Sequence, residues 1–182
     1  MTNYAMSVAR SGQSDIPKET EQVYTLIITV LDRPGAIDRI VNALRRRRAN
    51  MQTFVMGRAE AATTMRISVM VTDSEVGIDH LTEQIRKIVD VQHAIHVPVQ
   101  QAVVRELALI QVNSTAANLN EIIDYGRRFG AYTVDITPDA ITFEVAGSVE
   151  QVEAFIKHMH HYGVRDVARS GRVAIARGEA NK

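Results

Sequence analysis

YTLIITVLDRPGAIDRIVNAL, residues 24–44, changes its hydrophobic period in the middle. Its first eight residues are almost wholly apolar, the composition of a strand buried on both faces. From Ala36 onward Ile37, Ile40, Val41 and Leu44 fall at i, i+3, i+4 and i+7, the stripe of an amphipathic helix over 36–47. Between the two stand Asp32, Arg33, Pro34 and Gly35, which end a strand and open a helix within one tight turn. The stretch is a strand–turn–helix unit, and the rest of the chain follows from what that unit must pair with.

Downstream, MQTFVMGR (51–58) reads as a second strand. TTMRISVMV (63–71) alternates Met65, Ile67, Val69 and Val71 with Thr64, Arg66, Ser68 and Met70, a third strand with one buried face. Ile78, Leu81, Ile85, Ile88 and Val89 mark a second helix. VQHAIHVPV (91–99) is a short strand that Pro98 ends or places at an edge. The order is βαββαβ, and it then repeats. VVRELALIQV is a strand, and Ser114 opens a helix carrying Leu119, Ile122, Ile123 and Phe129, with Gly130 placed as its C-terminal cap. AYTVDIT and AITFEVAG are strands joined at Pro138-Asp139. Ser148 to Gln151 fits a capping box for a helix that buries Val149, Val152, Phe155, Ile156 and Met159. VRDVARSGRVAIAR closes the second unit as extended chain.

The predicted fold is therefore α+β: two tandem ferredoxin-like βαββαβ sandwiches, each an antiparallel sheet with two helices on one face. The first unit spans 22–98, a linker 99–102, and the second unit 103–178. Residues 1–21 are polar and read as a frayed N-terminal segment without a secretory signal. Units of about 75 residues sit near the lower limit for an independent core, so their sheet faces or edges are expected to be covered by a partner, as in a dimer.

Composition narrows the function. Lysine plus arginine and aspartate plus glutamate number 21 each, so no global field selects nucleic acid or an anionic membrane. Cysteine is absent, which excludes a disulfide framework and a thiol nucleophile. No apolar run is long enough to cross a bilayer, and a cytoplasmic location is expected. No nucleophile elbow, phosphate loop, dinucleotide fingerprint or HExxH motif appears, so no catalytic residue is assigned. Arg45–Arg48 reads as a solvated helix end favoured by the macrodipole, with an acidic protein or nucleic acid as the alternatives. His158 and His161 have the i, i+3 spacing of metal ligands, but no cysteine or acidic pair completes a shell. These histidines, with His160, read as exposed at a helix end. His80, His93 and His96 read as surface or half-buried residues that no serine or acid activates.

The strand-to-helix turn is the best site candidate. The amides of Gly35 and Ala36 are expected among the unpaired donors at the helix start, where the dipole is positive. Gly35 permits close approach of a ligand to the backbone. Asp32 beside this anion site would repel a phosphate but would hold an ammonium. A zwitterion gains from both: an α-amino acid offers its carboxylate to the amides and its ammonium to Asp32, with its side chain near Ile37, Met51 or a facing subunit. The alternative is a plain turn in which Asp32 caps the helix.

LDRPGAIDRIVNAL followed by Asn50-Met51 resembles the ACT domain, a ligand-binding regulatory module. VVRELALIQV, VDITPDAITFEVAG and VARSGRVAIARG resemble the C-terminal domain of acetohydroxyacid (acetolactate) synthase regulatory small subunits, and the similarity runs from Tyr24 to Gly178. The resemblance implies a non-catalytic subunit that activates a catalytic large subunit. It further implies a homodimer through ACT domains and feedback inhibition by a branched-chain amino acid, usually valine. By position, the effector contacts carried over are Asp32, Gly35, Ala36 and Ile37 of the turn with Asn50 and Met51 of the second strand, the latter from the other subunit. Thiamine diphosphate, a divalent metal and FAD are implied on the catalytic subunit and none in this chain, with no nucleic acid and no membrane as partners. The C-terminal unit is expected to carry activation, with Arg169, Ser170 and Gly171 near the contact. Two departures stand out. The family usually has asparagine in place of Asp32, and glycine plus an aromatic in place of Arg48-Ala49; here Asn50 is expected to take the left-handed conformation instead.

Overall fold

A computed structural model describes residues 21–178 of the chain. The expectation for residues 1–21 lies outside the described residues, Glu21 excepted. The first half runs β1 (Gln22–Leu31), α1 (Ala36–Arg46), β2 (Asn50–Arg58), β3 (Thr64–Asp73), α2 (Glu75–Arg86) and β4 (Val91–Pro98). A 3₁₀ turn, Val99–Gln101, leads to the second half: β5 (Ala102–Asn113), α3 (Leu119–Arg128), β6 (Tyr132–Ile136), β7 (Ala140–Gly147), α4 (Val149–Met159) and β8 (Val164–Ala176). Each half forms a four-stranded antiparallel sheet, in the orders β2-β3-β1-β4 and β6-β7-β5-β8. In both, the first and third strands are central and each helix crosses from one of them to an edge strand, the expected ferredoxin-like pattern twice over.

Each half has its own core between sheet and helices. Leu26, Ile28 and Val30 of β1 and Ile67, Val69 and Val71 of β3 meet Ile40 and Leu44 of α1 and Ile78, Leu81 and Ile85 of α2. In the second half Ile110, Phe143 and Val145 meet Ile122, Phe155 and Met159. A fully buried side chain of this size stabilises by about 1.5–3 kcal/mol. The helix ends follow from local chemistry. Ser74 caps α2 by accepting from the Gly77 amide at 3.1 Å. Ser148 and Gln151 form the expected capping box, with bonds of 2.8 and 3.3 Å. Gly130, at φ 75°, closes α3: its amide donates to Arg127 and that of Ala131 to Gly126, the paired bonds of a Schellman motif.

Several local expectations are corrected. The buried stripe of α1 is Ala36, Ile40, Ala43 and Leu44, while Ile37 and Val41 lie half-buried at its flank. Val89 lies beyond the end of α2 and is exposed. Helix α3 starts at Leu119 rather than Ser114, because Asn118 first closes a turn by accepting from the Thr115 amide and hydroxyl. Val149 is only half-buried. In β3 both faces are buried at Ser68 and Met70, not one. The second half causes this: β8 crosses the outer face of the first sheet, where Arg172 bonds Gln52 at 3.0 Å and Arg66 donates to the Ala174 carbonyl at 3.2 Å. Ile27, Ile95 and Val97 of the first sheet are thereby covered by Ala102 and Ala176 of the same chain. Part of the cover that small sandwiches require is supplied in cis. The outer edge of β2 has no partner strand among the described residues.

Candidate functional site

Arg33-Pro34-Gly35-Ala36 forms a type II β-turn. Pro34 occupies its second position, where a fixed φ suits the turn, and Gly35 its third, at φ 79° and ψ −3°. Gly35 is also the N-cap of α1, and no side chain caps that end. The capping role considered for Asp32 is therefore absent: its amide donates to Thr63 at 2.9 Å while its carboxylate stays exposed and has no hydrogen-bond partner among the described residues.

The donor set differs from the expected one. The Ala36 amide closes the β-turn onto the Arg33 carbonyl at 3.1 Å, and Ala36 is buried, so it offers a ligand nothing polar. The amides of Gly35, Ile37 and Asp38 have no protein acceptor among the described residues. The helix start thus presents free donors beside an unpaired carboxylate, two charges of opposite sign a zwitterion can bridge.

Asp90, unremarked in the sequence reading, holds this turn in place. Nearly buried at 3% exposure, it accepts a hydrogen bond from the Arg39 guanidinium and lies 3.8 Å from that of Arg33. Its backbone carbonyl accepts from the Leu31 amide at 2.9 Å. One aspartate therefore ties together the last residue of β1, the turn and the first turn of α1. A sequence signal exists: an acid between Val89 and Val91, at a junction where an apolar residue would otherwise continue the core.

Asn50 and Met51 are brought together with each other and not with the turn. They open β2, opposite Thr72 and Val71 of β3, whereas the turn adjoins Thr63 and Thr64 at the other end of that strand. Helix α1, 11 residues at about 1.5 Å each, separates them by about 16 Å. The left-handed residue preceding them is Arg48, at φ 51°, and not Asn50, which lies in the strand. Arg48 and Ala49 donate to Arg45 and Leu44, so the arginine occupies the position that glycine favours in a Schellman motif. The fourth arginine of Arg45–Arg48 is thus part of a helix stop, and Arg47 bonds Gln84 at 3.1 Å.

The remaining candidates resolve into structural roles. The ring of His158 stacks on Tyr125 with centroids 3.5 Å apart, and no cluster of three or more His, Asp or Glu able to hold a metal occurs among the described residues. His96 does have an acid and a hydroxyl beside it, contrary to expectation. Its Nε2 lies 3.3 Å from Asp79 and its Nδ1 3.0 Å from the Thr82 hydroxyl. Thr82 is buried and its proton goes to the Ile78 carbonyl, so this trio has no accessible nucleophile. Arg169, expected near a partner contact, pairs within the chain with Glu106 and Glu153. The Ser170 hydroxyl accepts from the Leu107 amide at the β5–β8 bulge. No helix among the described residues is long and apolar enough to cross a membrane.

Comparison with known proteins agrees with both halves of this architecture. The family model for the small subunit of acetolactate synthase matches residues 105–178, and an ACT-domain model matches residues 32–94. The acetolactate synthase small subunit of Bacillus subtilis is 34% identical over 158 residues, covering 86% of this chain and 92% of the relative. That of Mycolicibacterium smegmatis is 32% identical over 155 residues, covering 85% and 91%. The crystal structure of the acetolactate synthase small subunit from Thermotoga maritima superposes with a TM-score of 0.80 at 27% identity, covering 87% of this chain and 99% of that one. The chain belongs to the acetolactate synthase small-subunit family and carries that family's ACT domain in its first half.

Proposed function

We propose that this chain is the regulatory, non-catalytic subunit of acetolactate synthase, and that a branched-chain amino acid, valine foremost, binds between two copies of its ACT domain. The observation that carries the reading is the separation of the two candidate clusters. Asp32 and the free amides of Gly35 and Ile37 sit at one end of α1, Asn50 and Met51 at the other, about 16 Å apart. A small ligand cannot span that distance within one chain. Two copies related by a twofold axis, pairing through the open β2 edge, bring the turn of one to the Asn50 of the other. The ligand carboxylate then takes the turn amides, its ammonium takes Asp32, and its side chain lies against the half-buried Ile37 and the exposed Met51. Ala36 contributes shape only.

Bound there, the amino acid bridges the dimer. A coupling of about 1–3 kcal/mol between this site and the catalytic subunit is enough for feedback inhibition, provided the ligand binds the two states unequally. Thiamine diphosphate, the divalent metal and FAD belong to the catalytic subunit in this reading, and this chain supplies none of the reacting groups. An apolar pocket separates side chains differing by one methylene by only about 1–3 kcal/mol, so valine, leucine and isoleucine must be compared directly. Calorimetry of the full chain with each of the three tests the sensor. Binding of valine, weakened at least tenfold by Asp32→Ala, is the expected result. Stimulation of the catalytic subunit without heat from any of the three would mark an activating subunit that senses none of them.

A further inference from the structure

Where β8 crosses the first sheet, an open groove of about 400 Å³ remains between the two halves. Its walls are apolar: Val55 of β2 on one side, Val103 of β5 with Val173 and Ile175 of β8 on the other. These side chains are not core. Val173 is 50% exposed and Ile175 60%. Single exposed apolar residues are ordinary, but a contiguous set from three strands marks a surface that is covered in use.

The rim carries the second observation. Arg58, Arg66 and Arg105 line the same groove, and none forms an ion pair among the described residues. Six other arginines, Arg33, Arg39, Arg86, Arg127, Arg165 and Arg169, have carboxylate partners, while those of the helix end at 45–48 have none among the described residues. Arg66 and Arg105 are instead held by backbone carbonyls, at 3.2 Å to Ala174 and 2.8 Å to Val104, leaving guanidinium donors unused.

We propose that this groove docks an acidic, apolar polypeptide segment of the catalytic subunit. The assignment rests on the small-subunit reading given above and adds to it the surface and the chemistry of contact. An apolar floor excludes water while the arginine rim selects carboxylates and sets orientation, the usual division between core and rim of an interface. A second copy of this chain pairs through the β2 edge in the reading given above, and its own groove, lined by arginines and no carboxylate, offers these arginines no partner. A nucleic-acid strand fits poorly as well, since no aromatic side chain lines the groove for bases to stack on.

The test uses the full chain and the catalytic subunit from the same organism. Arg105→Glu and Ile175→Asp each change an exposed groove residue of the second half, away from the turn and from Asn50. Each is expected to weaken association with the catalytic subunit at least tenfold by sedimentation or calorimetry, with thermal unfolding unchanged. Valine binding by the isolated variant is expected to stay within twofold of the parent chain. A photo-crosslinking phenylalanine analogue in place of Val173 is expected to capture a segment of the catalytic subunit rich in Asp or Glu. Association at the parent level in both variants overturns the docking site and leaves the small-subunit reading intact, and so does capture of a second copy of this chain. Failure of the unmodified chain to associate with or stimulate the catalytic subunit overturns both.

Discussion

Asp90 and Arg39, 51 positions apart in sequence, share a side-chain hydrogen bond that fixes the start of α1 against the end of the first domain's second helical crossover. The acid is buried and the base half-exposed. Loss of the acid therefore costs less than breaking a fully buried pair, because Arg39 can turn to water. Asp90→Asn is expected to lower stability by about 1–3 kcal/mol, read from urea denaturation. Arg33→Ala removes only the longer, exposed contact and is expected to cost less than about 1 kcal/mol. If the turn binds an amino acid, Asp90→Asn also weakens that binding, since the turn loses its anchor.

Arg48 sits at φ 51°, where a Cβ is unfavourable, and its only backbone duty is to close the stop of α1. A non-glycine residue in this region costs about 1–2 kcal/mol, partly offset by the greater chain entropy that glycine loses on folding. Arg48→Gly is expected to raise stability by about 0.5–1 kcal/mol in thermal or urea unfolding. Arg47→Gly, one residue earlier at φ −81°, is expected to lower it.

Glu106 lies buried between β5 and β8, and Arg169 bonds it through two nitrogens, at 2.5 and 2.8 Å. Those bonds hold its carboxyl below the ordinary carboxylate value, with burial opposing them and losing. A lowered folded-state value means the stabilisation is complete above the unfolded value, about 4.3, and is lost as pH falls through the folded one. The stability difference between the parent chain and Glu106→Gln, measured by urea unfolding from pH 7 down to pH 3, is expected to shrink over that range. A difference independent of pH would mean that the bond geometry matters and the charge does not.

The fold was legible because both halves write their period changes plainly. The apolar run of residues 24–31 beside the i, i+3, i+4 pattern of residues 37–44 admits few partners other than a split βαβ. The capping box at Ser148 and the glycine stop at Gly130 are signals read from three or four consecutive residues, and the structure forms both. What could not be read was whatever depends on the other half of the chain. Met70 looked solvent-facing because its cover, β8, begins nearly a hundred residues later. Ala36 looked like a free donor because the type II turn that uses its amide is a matter of two dihedral angles. Asp90 is marked only as an acid between two valines, and nothing local names Arg39 as its partner; the two meet only once both crossovers are in place. The ion pairs of Arg169, which precedes Ser170-Gly171, were not legible because Glu106 and Glu153 come to it from other elements.

His96 lends the stability of the first half a measurable pH dependence. The Thr82 hydroxyl spends its proton on the Ile78 carbonyl, so the neutral ring donates through Nδ1 and leaves Nε2 bare toward Asp79. The ring also lies edge-on to Tyr24, centroids 5.7 Å apart. Burial pushes its pKa below 6.5 more strongly than Asp79 and Glu75 raise it, and Arg86 adds to the lowering. Above the unfolded value both states are neutral and the full stabilisation is present. As pH falls below about 6.5 the unfolded chain takes up the proton first, so stability drops until the folded value is passed. His96→Gln keeps a hydrogen-bonding side chain without that titration. The parent chain is therefore expected to lose stability relative to this variant between pH 7.5 and 5 in urea unfolding. A relative stability that instead rises on acidification would show that the Asp79 pairing outweighs burial, reversing the sign of the shift.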